Sequence, residues 1–139
     1  MRLSEAAIPA AAFLFEEANG NPVGEFEVAE MIRHGLSGQD PGRIAEALVK
    51  AVADEGGTEA GYRRQAYWAL GKRFDPGLIP FFRRQLAVEL SLDLNAAYQI
   101  MIALDNLNEP VFSGPRSSQS VEEEDRNRSD AETYLSCLF

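Results

Sequence analysis

Apolar residues recur along this chain at three- and four-residue intervals, the spacing that places them on one face of an α-helix. Val, Ile and Thr are not gathered into alternating runs, and no Asn-Gly or Asp-Gly pair separates two strand-like segments. The pattern predicts seven helices. The first runs from about Glu5 to Ala18, where Asn19-Gly20 reads as a stop. The second spans about Glu25 to Leu36, and the third starts at Pro41 and ends near Asp54. Gly56-Gly57 breaks the chain, with Thr58 as N-cap of a fourth helix, Glu59 to about Arg73. A fifth runs from Pro76 to about Leu90, and Ser91 is placed to cap a sixth that reaches about Leu107. A polar loop around 109–128 follows. Ser129-Asp130-Ala131-Glu132 matches a capping box at the start of a last helix, about Asp130 to Leu138.

The helices carry matching faces. Tyr62, Ala66, Ala69 and Leu70 line one side of the fourth, and Ile79, Phe82, Leu86 and Leu90 line one side of the fifth. Ala97, Ile100, Met101 and Leu104 do the same for the sixth. Beneath this pattern lies internal repetition. Asp40-Pro41-Gly42 recurs thirty-five residues later as Asp75-Pro76-Gly77, and Ile44 recurs as Ile79. Gln65, Ala69, Leu70 and Pro76 recur thirty-four residues later as Gln99, Ala103, Leu104 and Pro110. An acid before proline caps a following helix, and proline fits the first turn, where its missing N–H has no partner to lose. Each unit therefore reads as helix, tight turn, capped helix. A helix pair cannot bury its apolar face alone, so neighbouring pairs must stack. The expected fold is all-α, a short α-solenoid of stacked antiparallel helix pairs within one domain, 1–139.

Composition changes this picture little, and charge changes it more. With 139 residues, 45% hydrophobic and 25% charged, the chain has the makeup of a globular domain. The net charge is −9. Residues 1–58 hold ten acids and four bases, 59–90 three acids and six bases, and 91–139 nine acids and three bases. Acidic flanks repel phosphate, which argues against a nucleic-acid partner and favours a basic protein. Ala6–Phe15 is apolar, but Glu5 precedes it and Glu16-Glu17 follow. It reads as an amphipathic helix rather than a secretory segment, and no stretch is long enough to span a membrane. The single cysteine, Cys137, beside Leu135 and Leu138, reads as a small packing residue in a cytoplasmic protein.

The stretch Gln65 to Ile79, with Ala69-Leu70-Gly71 before Asp75-Pro76, resembles a HEAT-like repeat, and the likeness extends over about residues 25–112. The C-terminal part resembles a group of small bacterial HEAT-like proteins more closely. It shares Ala103-Leu104, Glu109-Pro110-Val111-Phe112, Arg116-Ser117-Ser118, Asn127, Asp130-Ala131 and Tyr134-Leu135 with them. Several of that group look like immunity proteins of secreted polymorphic toxins. The resemblance implies an intracellular inhibitor that neutralises a cognate toxin by tight binding.

The candidate chemistry points the same way. His34 is the only histidine and stands far from Cys137, so no Cys/His cluster has metal-ligand spacing. No phosphate-binding loop or nucleophile elbow is present. The sequence reading is thus no enzyme, no cofactor and no metal. The candidate partner-binding residues are the acidic run Glu122, Glu123, Glu124 and Asp125, with Trp68, Arg83 and Arg84 from the basic middle. For the acidic run the competing reading is a solvated loop, for the arginines salt bridging within the stack, and for Trp68 packing against a neighbouring repeat. A generic HEAT-like adaptor is the alternative function. A helical-repeat enzyme, such as a DNA glycosylase or a chromophore lyase, ranks third; the glycosylase needs a basic groove that a −9 chain does not favour.

Overall fold

The computed structural model describes residues 2–53, 58–114 and 119–138. Among them there are seven α-helices and no strand: α1 (Ile8–Ala18), α2 (Glu25–Arg33), α3 (Pro41–Ala53), α4 (Ala60–Gly71), α5 (Ile79–Glu89), α6 (Leu94–Asn106) and α7 (Glu124–Ser136). Short 3-10 turns, Glu5–Ala7 and Pro76–Leu78, lead into α1 and α5. No helix among the described residues is long and apolar enough to cross a membrane. Gly56 and Gly57 lie outside the described residues, as do Arg116, Ser117 and Ser118 of the C-terminal motif.

The chain divides into two compact units, 1–74 and 75–139. In the first, α1 packs on α2, α3 and α4, and α3 packs on α4. Its interior gathers Ile8, Phe15, Ile44, Leu48, Tyr67 and Leu70, all almost fully buried. Tyr62 donates its hydroxyl to the Leu3 carbonyl at 2.9 Å, tying the N-terminal segment to α4. Gly20, at φ +85°, ends α1 as the Asn19-Gly20 pair predicts. In the second unit α5 packs on α6, and α7 packs on both. Phe82, Leu86, Ile100, Met101 and Leu104 fill that core.

The repeated punctuation takes the same local geometry twice. Gly42 donates its N–H to Asp40 Oδ1 at 3.1 Å, and Gly77 donates to Asp75 Oδ1 at 2.9 Å. Pro41 and Pro76 each stand at the start of a helical segment, as the sequence predicts. The backbone repeats as well. The only non-glycine residues at positive φ among those described are Phe74 (51°) and Asn108 (64°), thirty-four positions apart and each just before an acid-proline pair. The third occurrence then departs. Glu109-Pro110 starts no helix; Val111 donates to the Glu109 carbonyl at 2.8 Å, and its side chain is buried.

Four local expectations need correction. Thr58 does not cap α4: Glu59 holds the N-cap position without a side-chain bond, and the Thr58 carbonyl accepts Arg63 Nη1 at 2.8 Å. Asp93 rather than Ser91 caps α6, its Oδ2 accepting the Ala96 N–H at 2.9 Å, while Ser91 donates its hydroxyl to the Val88 carbonyl. The last helix starts at Glu124, so Ser129 and Glu132 lie inside it. Glu123 holds the N-cap position of α7 without a side-chain bond to the helix, and its Oε1 accepts the Ser120 N–H of the preceding turn at 3.1 Å. Finally, Cys137 is exposed, because it falls in the turn past Tyr134, the last buried residue of α7.

Candidate functional site

The acidic run straddles a turn and a helix: Glu122 and Glu123 lie in the turn before α7, and Glu124 and Asp125 open the helix. Glu123 is held by Ser120 and by Arg126 Nη1 at 3.3 Å. Glu124 and Asp125 begin α7, where a carboxylate is favoured by the unpaired N–H groups and the helix dipole. Glu122, Glu124 and Asp125 point to solvent. The start of this helix is fixed from behind. Gln119 donates Nε2 to Asn127 Oδ1 at 2.7 Å, and Asn127 donates Nδ2 to the Ser120 carbonyl at 2.9 Å. Gln119 and Asn127 are both buried, and Tyr98 of α6 donates its hydroxyl to the Gln119 carbonyl at 3.0 Å. A row of exposed carboxylates is thus mounted on a hydrogen-bonded frame.

Arg83 and Arg84 are neighbours on α5 with different surroundings. Arg84 is exposed. Arg83 is drawn into an internal triad, donating Nη2 to Glu109 Oε1 at 2.6 Å and Nε to the Tyr134 hydroxyl at 2.9 Å. The Tyr134 hydroxyl in turn donates to Glu109 Oε1 at 2.5 Å. This triad joins α5, the segment after α6, and α7. The Tyr134 hydrogen bond, with help from Arg83, holds the Glu109 carboxyl below its ordinary range. Burial pushes the Tyr134 phenol up to about 12. A second tie lies beside it, where Asp130 Oδ2 accepts both the backbone N–H and the hydroxyl of Ser113 at 3.0 Å. Glu109, Asn127, Asp130 and Tyr134, four residues that carry the C-terminal resemblance, are therefore internal fasteners of the second unit.

Trp68 belongs to the first unit and stands 37% exposed. Lys72 Nζ lies 5.8 Å from its ring centroid and 3.8 Å from Glu16 Oε1. Asn19 crosses the same corner, donating Nδ2 to the Lys72 and Arg73 carbonyls at 2.9 and 3.2 Å. His34, at the C-terminal end of α2, sits 3.4 Å from Glu30 through Nε2. No group of His, Cys, Asp and Glu among the described residues is arranged to hold a metal ion.

Sequence reasoning missed one feature of this surface. On α2 only Met31 is buried, while Phe26 and Ile32 are 67% and 63% exposed. The signal was present in Phe26-Glu27-Val28-Ala29-Glu30-Met31-Ile32, which has more apolar positions than one buried stripe requires. No protein-family model, curated protein or solved structure matches this chain.

Proposed function

We propose that this protein is a short HEAT-like repeat protein of the bacterial cytoplasm that acts by binding another protein, as the immunity partner of a cognate toxin domain. One observation carries the reading: the exposed carboxylates of Glu122, Glu124 and Asp125, mounted on the framed start of α7. A fixed acidic row loses little freedom on docking and attracts a basic surface from a distance, which speeds association. The paired recurrence of Asp-Pro-Gly turns and of positive-φ residues supports the repeat assignment. Inhibition then needs no chemistry from this chain. Carboxylates laid over a cationic toxin site exclude its substrate by bulk and by charge.

The test is co-expression with the adjacent open reading frame in a host that this frame kills. Rescue at equal stoichiometry is expected. Replacing Glu122, Glu124 and Asp125 with Gln, Gln and Asn should slow association and flatten its salt dependence. Survival of the host without this gene, or killing unaffected by it, refutes the immunity reading.

A further inference from the structure

Helix α2 is the least absorbed element of its unit. It packs on α1, yet Met31 is its only buried residue. Successive residues turn by about 100° around a helix, so Phe26, Ala29 and Ile32 form one i, i+3 row, and Val28 lies a turn before Ile32. All four point away from the core, with Phe26, Ile32 and Val28 exposed by 67%, 63% and 37%. The row is anchored rather than loose, because the Phe26 ring meets Phe13 of α1 edge-on at 6.4 Å between centroids. Its surroundings are acidic. Glu25 shares the outward face, Glu27 and Glu30 follow on the same helix, and Glu17 is exposed at the end of α1. The one cation of α2, Arg33, is paired with Glu30 at 3.5 Å.

From this juxtaposition of an apolar row and unbalanced carboxylates, we infer that α2 is a docking face for a basic protein segment that presents its own apolar row flanked by Lys or Arg. A helix seated along α2 would bury Phe26 and Ile32 as anchors while its cations meet Glu25 and Glu27. A second copy of this chain is disfavoured, since the same carboxylates would face one another. An anionic lipid surface is disfavoured for the same reason. The inference rests on the protein-binding reading above but does not require the partner to be a toxin.

The probe is a fluorescein-labelled synthetic helix with Leu along one face and Lys along the other, with a Leu/Glu helix as control. Anisotropy titrations with the full chain should show saturable binding of the Leu/Lys helix alone. F26S/I32S should weaken it about tenfold or more, and A29R, which puts a cation into the row, should do the same. E25Q/E27Q should weaken it at low salt and converge with the parent at high salt. Circular dichroism confirms that each variant keeps its helix content, and these exposed positions give A29R a route that does not depend on F26S/I32S folding. Unchanged affinity in both F26S/I32S and A29R, or equal binding of the Leu/Glu helix, overturns the inference. So does self-association in sedimentation that I32S removes, or flotation with phosphatidylcholine–phosphatidylglycerol vesicles that F26S/I32S removes. Failed rescue with intact, α2-dependent peptide binding sinks only the toxin reading. Full rescue with peptide binding that ignores α2 sinks only this one.

Discussion

Leu70 and Leu104 stand thirty-four residues apart at the ends of α4 and α6, and both are almost fully buried, at 1% and 0% exposure. Truncating either to Ala removes three carbons from a packed interior. At about 0.8 kcal/mol for each buried methylene, the transfer contribution alone is about 2.4 kcal/mol. A cavity that does not collapse adds to this, which places the expected loss at about 2–5 kcal/mol for each variant. The assay is urea denaturation followed by two signals. Trp68 is the single tryptophan and belongs to the unit that holds Leu70, so its fluorescence reports that unit, while far-UV circular dichroism reports all helices. L70A should shift the fluorescence transition, and L104A should shift the dichroism transition. I32A, at an exposed position of α2, is the control and should cost about 0.5 kcal/mol or less. Losses below about 1 kcal/mol at both leucines would refute the argument that the two positions are equivalent core sites of one repeat.

The triad of Arg83, Glu109 and Tyr134 sets pH limits at both ends. With Tyr134 at about 12 when folded against an ordinary 10, the folded state keeps a proton that the unfolded chain has lost. Stability is therefore full below about pH 10 and falls toward pH 12, by at most about 3 kcal/mol from this group. Y134F should remove the largest part of that alkaline limb, and a 295 nm absorbance titration should show one tyrosine with a midpoint near 12. Glu109 acts in the opposite sense, because its folded pKa is lowered. Its contribution is present above the ordinary carboxylate range and is lost as pH falls through the lower folded value, so E109Q should flatten the acid limb of thermal unfolding. The caps of α6 can be separated in the same way. D93A should cost about 1 kcal/mol and S91A only a few tenths, and the reverse order in denaturation would restore Ser91 as the cap.

The all-helical class, the end of α1, the starts of α2 and α3 and the core face of α6 were legible because each rests on short-range rules. A proline at a first turn, a glycine after a helix and an i, i+3, i+4 apolar row all act within about two turns. Boundaries were lost where two local signals competed. Ser91 and Asp93 both offer an oxygen, and the carboxylate two residues later took the N–H of Ala96. The box at Ser129 and Glu132 falls inside the last helix, which already starts at Glu124, where Gln119 and Asn127 are buried behind it. The second half of the acidic run, Glu124 and Asp125, therefore became helix, while Glu122 and Glu123 stay in the turn before it. Its neighbours, not its own composition, decided this, and those neighbours are brought in by α6 through Tyr98. The Arg83–Glu109–Tyr134 triad was illegible for the same reason, since its members are 26 and 25 residues apart in sequence.

The place where the repeat breaks explains why the second unit has its form. Up to Asn108 the register holds, down to the left-handed backbone that Phe74 also adopts. At the next step the acid differs. Asp75 is short enough to accept the N–H of Gly77 two residues ahead, which starts the turn into α5. Glu109 has one more methylene and faces Val111 rather than glycine at that position. Its carboxylate reaches back instead to Arg83 and Tyr134. With no side-chain acceptor spent on the following turn, the chain runs on without a helix, burying Val111 and meeting Tyr98 through Phe112 at 6.3 Å between ring centroids. The carboxylate that would have capped a further repeat helix serves as the anchor for α7. The same exchange that ends the repeat therefore fixes the helix whose N-terminal end displays Glu122, Glu124 and Asp125.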